Sequence, residues 1–221
     1  MPADSDQIQT PEPATRTRRS GAPALLLAGV IAAAIVAIAC KNTVRVGLPP
    51  GVVEDEARRM VAAVSMASDA YRTKKPETAL DRYRDAVRTY RELPAAWNNM
   101  GVLMMDRDEY LQAAEAFSTA AELAPGDPRP HYNLGLLYDR RGYIREARGY
   151  YERSLARDSG YLPSLRAAVR ADSLLHEGNE QTLEWVQRAL FLEKDTEWQE
   201  WLKLQRVRME SLPSIKLKSN S

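Results

Sequence analysis

The chain has 221 residues, 44% hydrophobic and 28% charged, with 31 basic residues against 30 acidic ones and a net charge of +1. That balance gives no support to nucleic-acid binding, which draws on a lopsided basic surface to neutralise phosphate. The single cysteine, Cys40, excludes an intramolecular disulfide and any cysteine-built metal site.

Residues 1–20 are rich in Pro, Thr, Asp and Arg and nearly free of large apolar side chains, which predicts a disordered N-terminal tail. From Ser20 to Cys40 the chain carries no charge. About 20 helical residues span the roughly 30 Å hydrocarbon core of a bilayer, so residues 21–40 are expected to enter a membrane. Arg16, Arg18 and Arg19 precede the segment and Lys41 and Arg45 follow it, a bias that puts the N-terminus inside and the C-terminal body on the extracytoplasmic, periplasmic side. Two forms of tether stand side by side. The length of the apolar run suits a retained signal anchor. The stretch Val36-Ala37-Ile38-Ala39-Cys40 resembles a bacterial lipobox, with Ala37 where leucine is commonest, and implies lipidation at Cys40 after cleavage. Gly47, Pro49, Pro50 and Gly51 break helix and predict a linker over 41–53, and Glu54, Asp55 and Glu56 then suit the first turn of a new helix.

From residue 94 the chain reads PAAWNNMGVLMMDRDEYLQAAEAFSTAAELAPGD. Trp97, Met100, Gly101, Met104, Ala113, Phe117, Ala120 and Pro125 recur 34 residues later as His131, Leu134, Gly135, Tyr138, Ala147, Tyr151, Ser154 and Ser159. Stepping back by the same period gives Ala63, Met66, Ala67, Ala79, Tyr83 and Ala86. The spacing resembles that of the tetratricopeptide repeat, a helix–turn–helix unit. Repeats are expected over about 60–93, 94–127 and 128–161, with a degenerate fourth over 162–195 whose second helix stands one residue later in the period. There Thr182, Val186 and Ala189 take the small, large and small roles, and Ala168 or Val169 replaces the glycine. Small residues at 67, 101 and 135 face small residues at 79, 113 and 147, so paired helices can approach closely. Thr196-Glu197-Trp198-Gln199 reads as a capping box opening a C-terminal capping helix over 196–212, followed by a tail over 213–221. The fold class is therefore all-α: a helix–turn–helix solenoid over 54–195 with a C-terminal cap, preceded by one transmembrane or signal helix.

In that family the first helices line a groove that takes a helix or extended segment of a partner protein. The resemblance implies a groove of Val64, Ser68, Tyr71, Asn98, Val102, Met105, Tyr132, Leu136 and Asp139, which the C-terminal helix could alternatively fill. Chaperone-binding members clamp a C-terminal carboxylate with Lys, Asn and Arg. Here the matching positions are Val64, Ser68, Asn99, Arg129 and Asn133, so most of the charge is missing. Residues 94–127 hold one basic residue against six acidic ones, read first as a solvated face and second as a steering patch. His131 and His176 belong to no metal or nucleophile motif, and no phosphate loop is present, so no enzyme, cofactor, metal or small-molecule substrate is expected. The reading is a membrane-tethered scaffold in assembly of an envelope or membrane complex. Its rival is a permanent accessory subunit of a larger membrane complex.

Overall fold

The computed structural model describes residues 50–212, and every regular element among them is a helix. The tail 1–20, the segment 21–40 with Cys40, most of the expected linker and the tail 213–221 lie outside the described residues. No helix of the described residues is long and apolar enough to cross a membrane. The described residues belong to two compact bodies, 50–91 and 92–212.

The first body is one helix pair, α1 (Pro50–Arg72) and α2 (Pro76–Thr89). α1 corrects the expected linker: Pro50 and Gly51 lie inside its first turn. Proline is tolerated there because a first-turn N–H has no intrahelical acceptor to lose. Glu54 and Asp55 consequently sit a turn further in, where they pair with Arg58 and Arg59 at i,i+4. Ala63 and Ala70 of α1 and Ala79, Tyr83 and Ala86 of α2 are buried.

The second body stacks three pairs and a cap: α3 (Pro94–Met105) with α4 (Tyr110–Leu123), α5 (Arg129–Arg140) with α6 (Ile144–Leu155), and α7 (Leu162–Leu174) with α8 (Glu180–Leu192), closed by α9 (Thr196–Ser211) packed on α8. The crossing points carry the sequence period. A Cβ on Gly101 would come within 2.6 Å of the Phe117 ring, and one on Gly135 would overlap the Tyr151 ring. Ala113 and Ala147 are fully buried on the facing helices.

The turns carry the same period in their backbone. Asp108, Gly142 and His176, spaced 34 apart, all have positive φ (60°, 79° and 55°). In each turn the next residue's N–H reaches back five residues, from Glu109 to Met104, Tyr143 to Tyr138 and Glu177 to Asp172. This is how a left-handed residue closes a helix C-terminus. Three different residue types occupy the position, so the sequence carries no common signature there. A Cβ on Gly142 meets nothing within 4 Å, and the same holds for Gly149 inside α6. Gly142→Ala is therefore expected to cost about 1 kcal/mol from its backbone alone, whereas Gly149→Ala should gain about 0.5–1 kcal/mol. Urea unfolding of the two variants checks the difference in sign.

The extra residue of the fourth unit falls between His176 and Thr182. Asn179 caps α8 there, its side chain accepting from the Thr182 N–H at 3.0 Å while the Thr182 hydroxyl accepts from the Asn179 N–H. The capping box expected at Thr196 is corrected: the N-cap of α9 is Asp195, whose carboxylate accepts from the Trp198 N–H at 3.0 Å. An anionic cap one residue earlier meets the positive end of the helix better than a hydroxyl does.

Candidate partner-binding surfaces

The expected groove positions separate by helix, and on α1 Val61 one turn before Val64 joins them. On α1, Val61, Val64, Ser68 and Tyr71 fall at i, i+3, i+7 and i+10, one stripe of the helix, and all are exposed (Val61 54%, Val64 47%, Tyr71 37%). Ser68 turns its hydroxyl back onto the Val64 carbonyl at 2.9 Å, leaving the apolar side chains outermost. The face of α1 that carries Ala63 and Ala70 is the buried one, so the stripe is separate from the packing against α2.

On α3 and α5 the positions are closed. Asn98, Val102, Met105, Tyr132 and Leu136 are all buried. Asn133 donates to the Asn98 side-chain oxygen at 2.8 Å, tying the two helices together. The Tyr132 ring lies 6.0 Å from Tyr151 and 5.7 Å, edge-on, from Tyr161. Asp139 accepts from the Tyr151 hydroxyl at 3.0 Å and pairs with Arg170 of α7. Arg129 closes a two-pronged pair with Asp127 at 2.7–2.9 Å, which raises its pKa. Of the clamp positions, Asn133 is thus buried against Asn98 and the half-exposed Arg129 is held by Asp127.

The acidic run of residues 94–127 is partly answered in the same way. Asp106 meets Arg140, Glu109 meets Arg107, Asp127 meets Arg129, and Asp108 takes the Tyr110 hydroxyl. Three of the six carboxylates therefore meet a cation and a fourth meets a hydroxyl.

Sequence reasoning missed a line of buried polar joints. Asp172 of α7 is 1% exposed; it pairs with Arg148 of α6 and accepts from the Thr182 hydroxyl of α8 at 2.6 Å, joining three helices. Ser154, which breaks the repeat's alanine, donates to the Pro128 carbonyl at 2.8 Å and accepts from Ser164 at 2.7 Å. Glu193 is buried ahead of α9 and holds Arg166 in a fork of 2.6 and 2.8 Å. Burial pushes its carboxyl up, but the Arg166 fork and the N–H groups of Asp195 and Lys194 hold it below the usual range. Arg166 also lies over the Trp198 ring at 4.7 Å, locking the cap to α7.

His131 stands where the previous repeat has Trp97 and the next has Leu165, and neither ring nitrogen has a hydrogen-bond partner. Burial, then the charges of Arg157 and Arg153, lower its pKa from 6.5 to about 4. The folded chain therefore binds fewer protons there than the unfolded chain. This contribution to stability is full above about pH 6.5 and falls as the pH drops towards about 4. Depressed carboxylates such as Glu193 add their own loss below about 4.5. His131→Leu should flatten the upper part of that profile, read as the melting temperature at a series of pH values.

Among the described residues no group of three or more His, Cys, Asp or Glu side chains could hold a metal ion.

Comparison with known proteins fits this architecture. No family model matches the chain. The BBSome complex member BBS4 of Xenopus tropicalis and of Mus musculus is 36% identical over 62 residues, 28% of this chain; the match spans 12% of the length of those relatives. Among solved structures, a MamA RS-1 double mutant superimposes with a TM-score of 0.56 at 17% identity, covering 73% of this chain and 91% of that one. MamA 41-end from Desulfovibrio magneticus RS-1 gives 0.54 at 18%, covering 73% and 90%. An O-GlcNAc transferase mutant from Thermobaculum terrenum gives 0.51 at 20%, covering 60% and 26%. These neighbours contain tetratricopeptide repeats, and the fold of this chain is the tetratricopeptide-repeat fold.

Proposed function

We propose that the protein is a non-catalytic scaffold, tethered to a membrane by residues 21–40 or a lipidated Cys40, that holds a segment of a partner protein against the open face of α1 on the extracytoplasmic side. The exposed stripe of Val61, Val64 and Tyr71 around Ser68 carries the reading. Its i, i+3, i+7 spacing matches the apolar face of an amphipathic helix laid alongside. The closed positions on α3 and α5 argue that they stiffen the stack and that the partner's main contacts lie elsewhere. Support for the tether is the uncharged run from Ser20 to Cys40 with three arginines before it.

A photo-crosslinking amino acid at position 64 or 71, activated in intact membranes, tests the site. Expected is one discrete adduct from both positions and none from position 115, an exposed site on α4. Adducts from 115 with none from 64 or 71 would remove α1 from the function. Cys40→Ser identifies the tether in the same membranes. Release or altered mass assigns it to the cysteine, and unchanged retention and mass assign it to the apolar run.

A further inference from the structure

Arginine and tyrosine alternate along the exposed side of α6 and the turn before it. Tyr138, near the end of α5, stacks on Tyr150 of α6 with centroids 5.0 Å apart and 19° between planes, and meets Tyr143 edge-on at 6.4 Å. Arg153 lies over the Tyr150 ring at 4.8 Å. Arg141 lies over the Tyr110 ring at 5.2 Å. Arg157, one turn beyond Arg153, donates to the Arg153 carbonyl at 2.7 Å. Tyr143 is 52% exposed, and all three arginines are exposed.

Like Arg188 and Arg208 of the same body these arginines hold no carboxylate, but two of them are laid on aromatic rings. In the same body Arg129, Arg140, Arg145, Arg148, Arg166 and Arg170 each hold a carboxylate. Arg141, Arg153 and Arg157 meet only rings or a carbonyl, with no carboxylate among the described residues. Arg141 at the turn before α6, Arg153 near its end and Arg157 one turn beyond are therefore three positive charges without a carboxylate, two of them resting on tyrosine rings.

We infer that this strip is a second docking surface, for an acidic segment of a partner protein, separate from the open face of α1. Arg141, Arg153 and Arg157 receive its carboxylates, and Tyr143 and Tyr150 supply flat apolar contact. Guanidinium groups already laid on aromatic rings have lost part of their rotamer freedom and hydration, so less is given up when a carboxylate arrives. Tyrosine and arginine are also the side chains that concentrate binding energy at interfaces. A protein segment fits better than an anionic lipid surface. Glu146 is exposed on the same helix, so a broad negative plane would press against it while a narrow chain passes beside it.

The test uses the full-length protein in mild detergent and a fluorescein-labelled peptide of alternating glutamate and leucine, read by anisotropy. Expected is binding that weakens as sodium chloride rises, and that is lost when glutamine replaces glutamate. The triple variant Arg141→Gln, Arg153→Gln, Arg157→Gln should bind about tenfold or more weakly with an unchanged melting temperature. Arg157→Glu alone should shift preference towards a lysine–leucine peptide, which keeps the test decisive if the triple variant folds poorly. Val64→Asp on α1 should leave peptide binding intact, so failure of the α1 reading and failure of this one are told apart. Equal binding of the glutamine peptide, an unaffected triple variant, or arginine-dependent binding to phosphatidylserine vesicles without peptide binding would overturn the inference.

Discussion

Gly135→Ala is expected to destabilise the second body by about 3 kcal/mol or more, the upper end of what overpacking a core costs. The added methyl would occupy the space of the Tyr151 ring. That ring cannot step aside, because Tyr151 is fully buried, its hydroxyl is bonded to Asp139, and Tyr132 packs beside it. The only relief is to push α5 and α6 apart, which opens the pairs on either side. Gly101→Ala should behave alike, since its Cβ meets the Phe117 ring at 2.6 Å. Gly149→Ala supplies the control: the same chemical change in a helix with open space around it. Shortening the opposing ring in Gly135→Ala, Tyr151→Leu should recover part of the loss, giving a coupling energy of opposite sign to the single costs. A Gly135→Ala protein as stable as the parent in urea would mean that the helices do not cross where the repeat places them.

Those crossings are what the sequence made readable. A glycine 16 residues before an aromatic, twice over at the same period, fixes which helix faces which, because only a missing side chain leaves room for the ring. The fourth unit was readable for the same reason, as Thr182, Val186 and Ala189 keep the size pattern and are all buried. The lining of the expected groove was not. Val102, Met105, Tyr132 and Leu136 suit a ligand-binding surface as well as a packed one. Which they become depends on how closely successive first helices pack, and no residue type encodes that. The burial of Asp172 and Glu193 was not legible either. Their burial depends on Arg148 and Arg166, 24 and 27 residues away and outside the 34-residue period. The start of α1 was misplaced because Pro50 and Gly51 read as breakers from the middle of a segment, while the first turn of a helix accepts both.

The buried Asp172 joint yields the second large effect. Asp172→Ala should cost about 3–5 kcal/mol, the range for removing one partner of a buried pair. The loss is more than one Coulomb contact. Arg148 would keep Glu152 of its own helix but lose its tie to α7, and the Thr182 hydroxyl of α8 would lose its acceptor on α7. Asp172→Asn keeps one acceptor for either neighbour and should fall between parent and alanine variant. Replacing the pair together, Arg148→Met with Asp172→Leu, removes both the charge and its burial cost, and should restore most of the stability lost in Asp172→Ala. If the double variant is instead as damaged as the single one, the ion pair fixes the register of α6, α7 and α8, beyond its own electrostatic energy. Urea unfolding of the four proteins separates the outcomes. The joint sits between the third pair and the fourth, so loss of protease resistance confined to α7, α8 and α9 would show that the C-terminal pairs can come away as a unit while α3 to α6 stay folded.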